Sequence, residues 1–293
     1  MRRVLVTGWF SLDEAEVTAG DVLARDTAAR WLTQSGIAHD VAVAENFRTD
    51  RDISLDDAVP DDYTDVVFVC GPAAGAPVEK LFARFPNARR LAVDVSVVDG
   101  TSALRLDGVL ARDAPDIVRP DLSLATAAPG TPVVGVVLTH AQPEYGSNHR
   151  LQRAHELIGD ALLDLDVAPV PLDTRLHPQD PLLCSTPGQL ESALGRCDAV
   201  VTTRMHGLVL ALKLGVPAVA VDPVAGGGKV IRQARVLDWP AAFGVEDADG
   251  ARVAEALRWC LSAEGRSEAT AVTDRLEDAV RDLRTEFVGF FAG

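Results

Sequence analysis

The chain has 293 residues, 47% of them hydrophobic and 24% charged, and a formal net charge of −15. That length suits one large domain or two of ordinary size, and the acidity excludes a general nucleic-acid or anionic-membrane binder, because both need a basic face. An anionic small substrate stays admissible, since it feels a local cluster of cations more than a distant surface that salt screens within about 10 Å.

Short β-branched runs alternate with helical stretches, which predicts an α/β fold with mainly parallel sheets. Strands are expected at Arg3 to Val6, His39 to Ala44, Asp65 to Cys70, Arg90 to Val95 and Val109-Leu110, with helices at Ala19 to Ser35 and Pro77 to Phe85. Residues Asp113 to Thr131 gather Pro115, Pro120, Pro129 and Gly130 and read as a connector. A second series follows: strands at Pro132 to Thr139, Val167 to Leu172, Ala199 to Thr203 and Ala218 to Asp222, and helices at Arg150 to Leu165, Thr186 to Leu194 and Gly207 to Leu214. Three helices close the chain, at Gly228 to Asp238, Ala251 to Cys260 and Val272 to Phe291. The pattern predicts two Rossmann-like domains facing a cleft, residues 1–120 and 121–293, with a last helix long enough to pack back on the first.

No stretch approaches the roughly 18 apolar residues of a membrane helix; the longest, Leu208 to Val221, is broken by Lys213 and Pro217. The first apolar run stops at Gly8, too early for a signal peptide. Cys70, Cys184, Cys197 and Cys260 are widely spaced without a CxxC, which argues against a disulfide framework or structural metal. The expectation is a cytoplasmic protein with no metal and at most peripheral membrane contact.

The run Val200-Val201-Thr202-Thr203-Arg204-Met205-His206-Gly207 places a polar insert where a strand delivers its carboxyl end and a helix begins. Helix N-termini expose N–H groups and favour anions. Gly207 leaves the backbone open to a ligand, while Arg204 adds a fork donor and His206 a titratable one. The plain alternative is that His206 caps the helix and Arg204 pairs with a surface carboxylate, and residue chemistry alone weighs the two evenly. After the next strand, Gly226-Gly227-Gly228-Lys229 could wrap an oxyanion with Lys229 as point charge, or be an ordinary loop.

These residues, with Gly215-Val216-Pro217 and the strand behind it, resemble the polysaccharide pyruvyl transferase family, whose members carry a strand, an S/T-R-hydrophobic-H-A/G helix start, an apolar helix, a G-V-P and a downstream lysine. Residues 198–229 carry the resemblance. The first half departs from the family pattern: Gly20-Asp21 fits its N-x-G-D element but Thr18 stands for the asparagine, and the Gly71–Gly75 turn keeps the family's G-G-G only in part. The resemblance implies a GT-B-like arrangement with the acceptor side in the first domain and the donor side in the second. It also implies transfer of the enolpyruvyl carbons of phosphoenolpyruvate onto two hydroxyls of a saccharide or glycolipid, without metal or further cofactor. By the same resemblance His206 is general acid or a carboxylate-positioning donor, Arg204 and Lys229 hold phosphate and carboxylate, and Gly207, Gly227, Gly228 and Arg150 help bind the donor. Asp21 is the candidate base, and Trp9, Asp13 and Glu14 are candidates for the acceptor, with core packing the alternative for Trp9 or Phe10.

Two rival readings remain. A nucleotide-sugar glycosyltransferase would use the same cationic turn for a diphosphate, but the helix from Gly228 lacks the acidic residue that would hold a ribose. A non-catalytic anion-binding scaffold would fit the altered first-domain loop.

Overall fold

The computed structural model describes residues 2–12, 16–99, 101–114, 117–140 and 149–291. The chain separates into two compact units, Met1–Pro129 and Gly130–Gly293. Among the described residues no helix is long and apolar enough to cross a membrane.

In the first unit β1 (Arg3–Gly8), α1 (Ala19–Gln34), β2 (Ala38–Val41), β3 (Asp65–Val69), α2 (Ala76–Arg84), β4 (Arg89–Val95) and β5 (Gly108–Ala111) build a parallel sheet of order β2-β1-β3-β4-β5. β3 is buried along its whole length, as a continuous apolar run covered on both faces must be. α1 begins at a capping box in which Thr18 Oγ1 accepts from the Asp21 N–H and Asp21 Oδ2 accepts from the Thr18 N–H at 2.9 Å. The connector stretch holds an antiparallel strand pair the sequence does not announce, β6 (Asp113–Ala114) against β7 (Ile117–Val118), each too short to show a period. Beyond it, Leu122 and Ala125 are tied to α1 through Thr27 Oγ1 at 3.1 Å and Arg30 Nη2 at 2.6 Å, so the first unit runs past residue 120.

The second unit repeats the plan: β8 (Val133–Val137), α3 (Leu151–Leu163), β9 (Ala168–Leu172), α4 (Pro187–Leu194), β10 (Ala199–Thr202), α5 (Met205–Lys213), β11 (Ala218–Asp222), α6 (Lys229–Val236), β12 (Ala242–Gly244) and α7 (Gly250–Leu261). The sheet order is β12-β11-β10-β8-β9, all parallel. Counted within its own unit each sheet therefore runs 2-1-3-4-5, a doubly wound order that reverses between its first and third strands, β1 and β3 in one unit and β8 and β10 in the other. β12 has only three residues and was not legible as a strand. The last helix, α8 (Ala263–Gly289), starts nine residues before Val272, where sequence periodicity places it, with Ser262 Oγ accepting from the Gly265 N–H at 3.2 Å. Its buried residues Ala269 and Val272 join the core of its own unit, and Thr273 Oγ1 donates to Leu212 O at 2.9 Å, so this stretch packs on α5.

Central strands β10 and β11 are buried throughout. Each fully buried valine in them contributes on the order of 1.5–3 kcal/mol relative to exposure. These strands form the rigid floor from which the candidate site rises.

Candidate functional site

In a parallel sheet all carboxyl ends lie along one edge, and four neighbouring strands of the second unit each deliver side chains to one pocket there. Thr139 follows β8, Thr174 and Arg175 follow β9, Arg204, Met205 and His206 follow β10, and Lys229 follows β11; together these seven residues line a pocket of about 240 Å³. The pocket sits over the β8/β10 reversal, where ligands of doubly wound sheets bind.

Threonines fix the turn under the pocket. Thr139 donates through its N–H to Thr203 Oγ1 at 2.7 Å and through its hydroxyl to Thr203 O at 3.1 Å, lashing the ends of β8 and β10 together. Thr202 Oγ1 donates to Val137 O at 2.9 Å and accepts from the Arg204 N–H at 2.9 Å. The helix that follows starts at Met205, two residues before the expected Gly207, with Arg204 as its N-cap residue. His206 is thus the second residue of the helix and not its cap, and the first-turn N–H groups around it have no intrahelical acceptor. Its side chain is exposed to the pocket.

Arg204 does pair with a carboxylate, yet inside the pocket wall. Its Nη1 donates to Asp173 Oδ1 at 3.1 Å and to Thr174 Oγ1 at 2.7 Å. Arg175 Nε donates to Asp173 Oδ2 at 2.8 Å, and His140 Nε2 lies 3.1 Å from the same oxygen. Burial would raise the Asp173 carboxyl, but hydrogen bonds from Arg175 and His140 outweigh it and hold the group at about 2. One ionised carboxylate thus pairs with both Arg175 and Arg204, and Lys229 lines the same pocket, which gathers basic side chains locally in a protein that is acidic as a whole.

The structure brings Arg204, His206 and Lys229, all expected from the sequence, to one pocket, and adds Thr139, Asp173, Thr174 and Arg175, which were not expected there. The signal that could have found the last three is positional: they stand immediately beyond the strand ending at Leu172.

The glycines have other duties than those expected. A Cβ on Gly207 would overlap Thr202 Oγ1 and lie 2.9 Å from Thr202 Cβ, so the close approach that needs glycine is that of α5 to β10 and not of a ligand. The N–H of Gly228 donates to Asp222 Oδ2 at 2.7 Å, that of Gly227 to Val224 O at 2.9 Å and that of Gly226 to Glu246 Oε2 at 3.3 Å. With all three donors taken by the chain itself, this loop is no oxyanion cradle. Asp222, buried and also accepting from the Ile231 N–H at 3.0 Å, caps α6 and so sets the position of Lys229.

The remaining candidates lie elsewhere. Arg150 is an exposed residue at the start of α3, its N–H donating to Pro223 O at 2.7 Å, and it does not line the pocket. Asp21 is engaged in the α1 capping box, where Thr18 Oγ1 donates to its Oδ2 at 2.7 Å, a structural employment that weakens it as a base. Trp9 Nε1 donates to Pro72 O at 3.1 Å and its ring meets Phe68 edge-on at 6.2 Å, while one side borders a first-unit cavity of about 700 Å³. Phe10 is fully buried, so it belongs to the core. Asp13 and Glu14 lie outside the described residues.

Residues 151–223 match the family described as polysaccharide pyruvyl transferase. That segment contains Asp173, Thr174, Arg175, Arg204, Met205, His206 and Gly207 and leaves Thr139 and Lys229 outside. The resemblance read on residues 198–229 is thereby borne out over residues 198–223. No curated protein sequence matches the chain significantly. Among solved structures it is similar to the spinosyn forosaminyltransferase SpnP, at 15% identity over 97% of this chain and 98% of that one with a TM-score of 0.35. It is also similar to the spinosyn rhamnosyltransferase SpnG complexed with thymidine diphosphate, at 13% identity over 97% and 100% with a TM-score of 0.36. A third is the UDP-GlcNAc 2-epimerase from Methanocaldococcus jannaschii, at 9% identity over 94% and 100% with a TM-score of 0.34. At these TM-scores the likenesses carry no argument; the fold stands on the chain's own strand order.

Proposed function

We propose that this protein is a pyruvyl transferase that takes phosphoenolpyruvate in the second-unit pocket and forms a pyruvate ketal on a saccharide or glycolipid acceptor, with no metal required. The observation that carries the proposal is the convergence of Arg175, Arg204, His206 and Lys229 on one pocket at the strand-order reversal, within or beside the family-matched segment. Phosphoenolpyruvate is a compact multi-anion, and a pocket lined by Arg175, Arg204 and Lys229 suits its phosphate and carboxylate together.

In the reaction His206 protonates the terminal enol carbon, which leaves the central carbon electrophilic; one acceptor hydroxyl adds there and gives up its proton. The bond from that carbon to the phosphate oxygen then breaks, phosphate leaves with the electron pair, and a second hydroxyl adds with loss of its proton. The products are the cyclic ketal and inorganic phosphate. Arg204, Arg175 and Lys229 hold the phosphate as its charge grows, the stage at which fixed donors contribute most. Arg175 enters as a donor-binding residue on its place in the pocket, whereas Arg150 and the glycines of the 226–228 loop do not.

The test is incubation with phosphoenolpyruvate and a panel of sugars and lipid- or nucleotide-linked glycans, following phosphate release together with a mass gain of one pyruvyl ketal. Phosphate release coupled to that gain is expected with at least one acceptor. Turnover of a nucleotide sugar instead would favour the glycosyltransferase reading, and a protein that binds no phosphoenolpyruvate is not a pyruvyl transferase.

A further inference from the structure

In the first unit a buried carboxyl lies outside everything discussed so far, and the backbone is bent to place it. β4 and β5 pair in register from Leu91 to Val93, and then the register slips so that Val95 faces Ala111. The residue left over is Asp94, held in the left-handed region at φ 58°, where side chains with a Cβ are uncommon. A bulge of this kind re-aims one side chain. Regular alternation would send Asp94 to the face of Ala92, into the core with Phe82 and Leu104. Instead its carboxyl stands by the backbone N–H of Leu122 and the charges of Asp121 and Arg112, on the face where Leu91 and Val93 pack against α1.

Asp94 is 3% exposed, and its Oδ2 is buried without a hydrogen-bond partner among the described residues. Such an orphan acceptor is costly unless something fills it. It lines a cavity of about 400 Å³ whose walls include Trp31, Val93, Leu110, Leu122 and Leu124. Trp31, Leu110 and Leu124 are 46%, 52% and 79% exposed, an apolar surface left bare beside the orphan oxygen.

The charges around the cavity narrow the ligand. Arg112 donates to Asp121 Oδ2 at 2.7 Å and to Ser96 Oγ at 3.2 Å, and Arg119 Nη1 donates to Ala111 O at 2.8 Å. The carboxylates of Asp94 and Asp121 stand on the same wall as the guanidiniums of Arg112 and Arg119, so an anion would compete for engaged donors and a cation would find no excess of negative charge. A neutral molecule with a hydroxyl at one end and an apolar body at the other satisfies both the oxygen and the bare surface. We infer that this cavity binds an uncharged, hydroxyl-bearing amphiphile, of the class of alkyl or aryl glycosides, anchored by a hydrogen bond from a ligand hydroxyl to Asp94. The inference stands on the first unit's own geometry and does not depend on the donor reading; joined to that reading, it names an acceptor with an apolar portion.

Octyl β-D-glucoside below its micelle concentration is the probe, titrated calorimetrically into the full chain. One saturable site per chain is expected, weakened at least tenfold in Asp94→Ala and in Leu110→Asp, with Asp94→Asn in between because the amide keeps an acceptor oxygen. Circular dichroism melts accompany each variant, and the exposed position of Leu110 keeps the test decisive should Asp94→Ala fail to fold. Absence of binding by the wild type, or equal binding by wild type and the folded variants, overturns the inference. Phosphoenolpyruvate titrated into a parallel wild-type sample reports on the donor pocket separately, so the failure of one reading is distinguishable from failure of the other.

Discussion

Asp173 reaches Arg204 Nη1 at 3.1 Å with one carboxylate oxygen while the other accepts from Arg175 Nε at 2.8 Å, so a single carboxylate sets two guanidiniums from the ends of β9 and β10. Its exposure of 12% against 16% for Arg204 makes this a fixed part of the pocket wall and not a solvated surface pair.

Two accounts of Asp173 predict opposite results for Asp173→Ala. If it merely dilutes positive charge, its loss tightens phosphoenolpyruvate binding. If it positions the arginines, its loss frees two flexible side chains and weakens binding by about tenfold, about 1.4 kcal/mol. The positioning account is expected to prevail, and calorimetric titration of the variant decides it.

The depressed Asp173 carboxyl also predicts an acid response. Its folded value of about 2 lies below the ordinary 3.8. The unfolded chain thus binds the proton more readily, and the stabilising contribution is present in full above the ordinary value and lost as pH falls through the folded one. Melting temperatures of wild type and Asp173→Asn, each compared with its own value at pH 6, are expected to diverge between about pH 4 and pH 2, the wild type losing more. Parallel curves across that window would show that the carboxylate has no such coupling.

His206→Ala is expected to abolish turnover, by about a hundredfold or more for loss of a general acid, while leaving the melting temperature nearly unchanged because the side chain is exposed and does not cap α5. His206→Gln, which keeps hydrogen bonding without proton transfer near neutral pH, is expected to bind phosphoenolpyruvate and stay inactive. Phosphate-release kinetics beside thermal melts separate these outcomes; an unfolded His206→Ala protein would instead assign the residue to structure.

Gly207→Ala tests what the glycine is for. The added methyl meets Thr202 across the α5–β10 contact, and overpacking of this sort costs about 1–3 kcal/mol. A lowered melting temperature is expected, with a less than additive loss in the double variant Gly207→Ala, Thr202→Ala, which removes the Oγ1 that the methyl would meet. An unchanged melt with lost phosphoenolpyruvate binding would restore the view that a ligand approaches the backbone here.

The donor side was legible in the sequence because Val200-Val201 and Leu208-Val209-Leu210 are long enough apolar stretches to fix a strand and a helix around a polar insert. Arg204 and His206 had to fall at their junction. Asp173, Thr174 and Arg175 were not legible as site residues, since nothing local marks them and only the sheet order brings the end of β9 beside those of β8 and β10. The glycine loop misled for a different reason: a run of glycines shows that the backbone is permissive but not which acceptors take its N–H groups, and here Asp222, Val224 and Glu246 take them. Asp94 was invisible because a one-residue register slip leaves no mark in the apolar pattern.

Whether Arg175, Arg204, His206 and Lys229 form a phosphoenolpyruvate site is decided by calorimetric titration of phosphoenolpyruvate into wild type, Arg204→Ala and Lys229→Ala. One site per chain is predicted, weakened at least tenfold in both variants at unchanged melting temperature. A wild type that takes up no phosphoenolpyruvate, or variants that bind it as well as the wild type, would contradict the account.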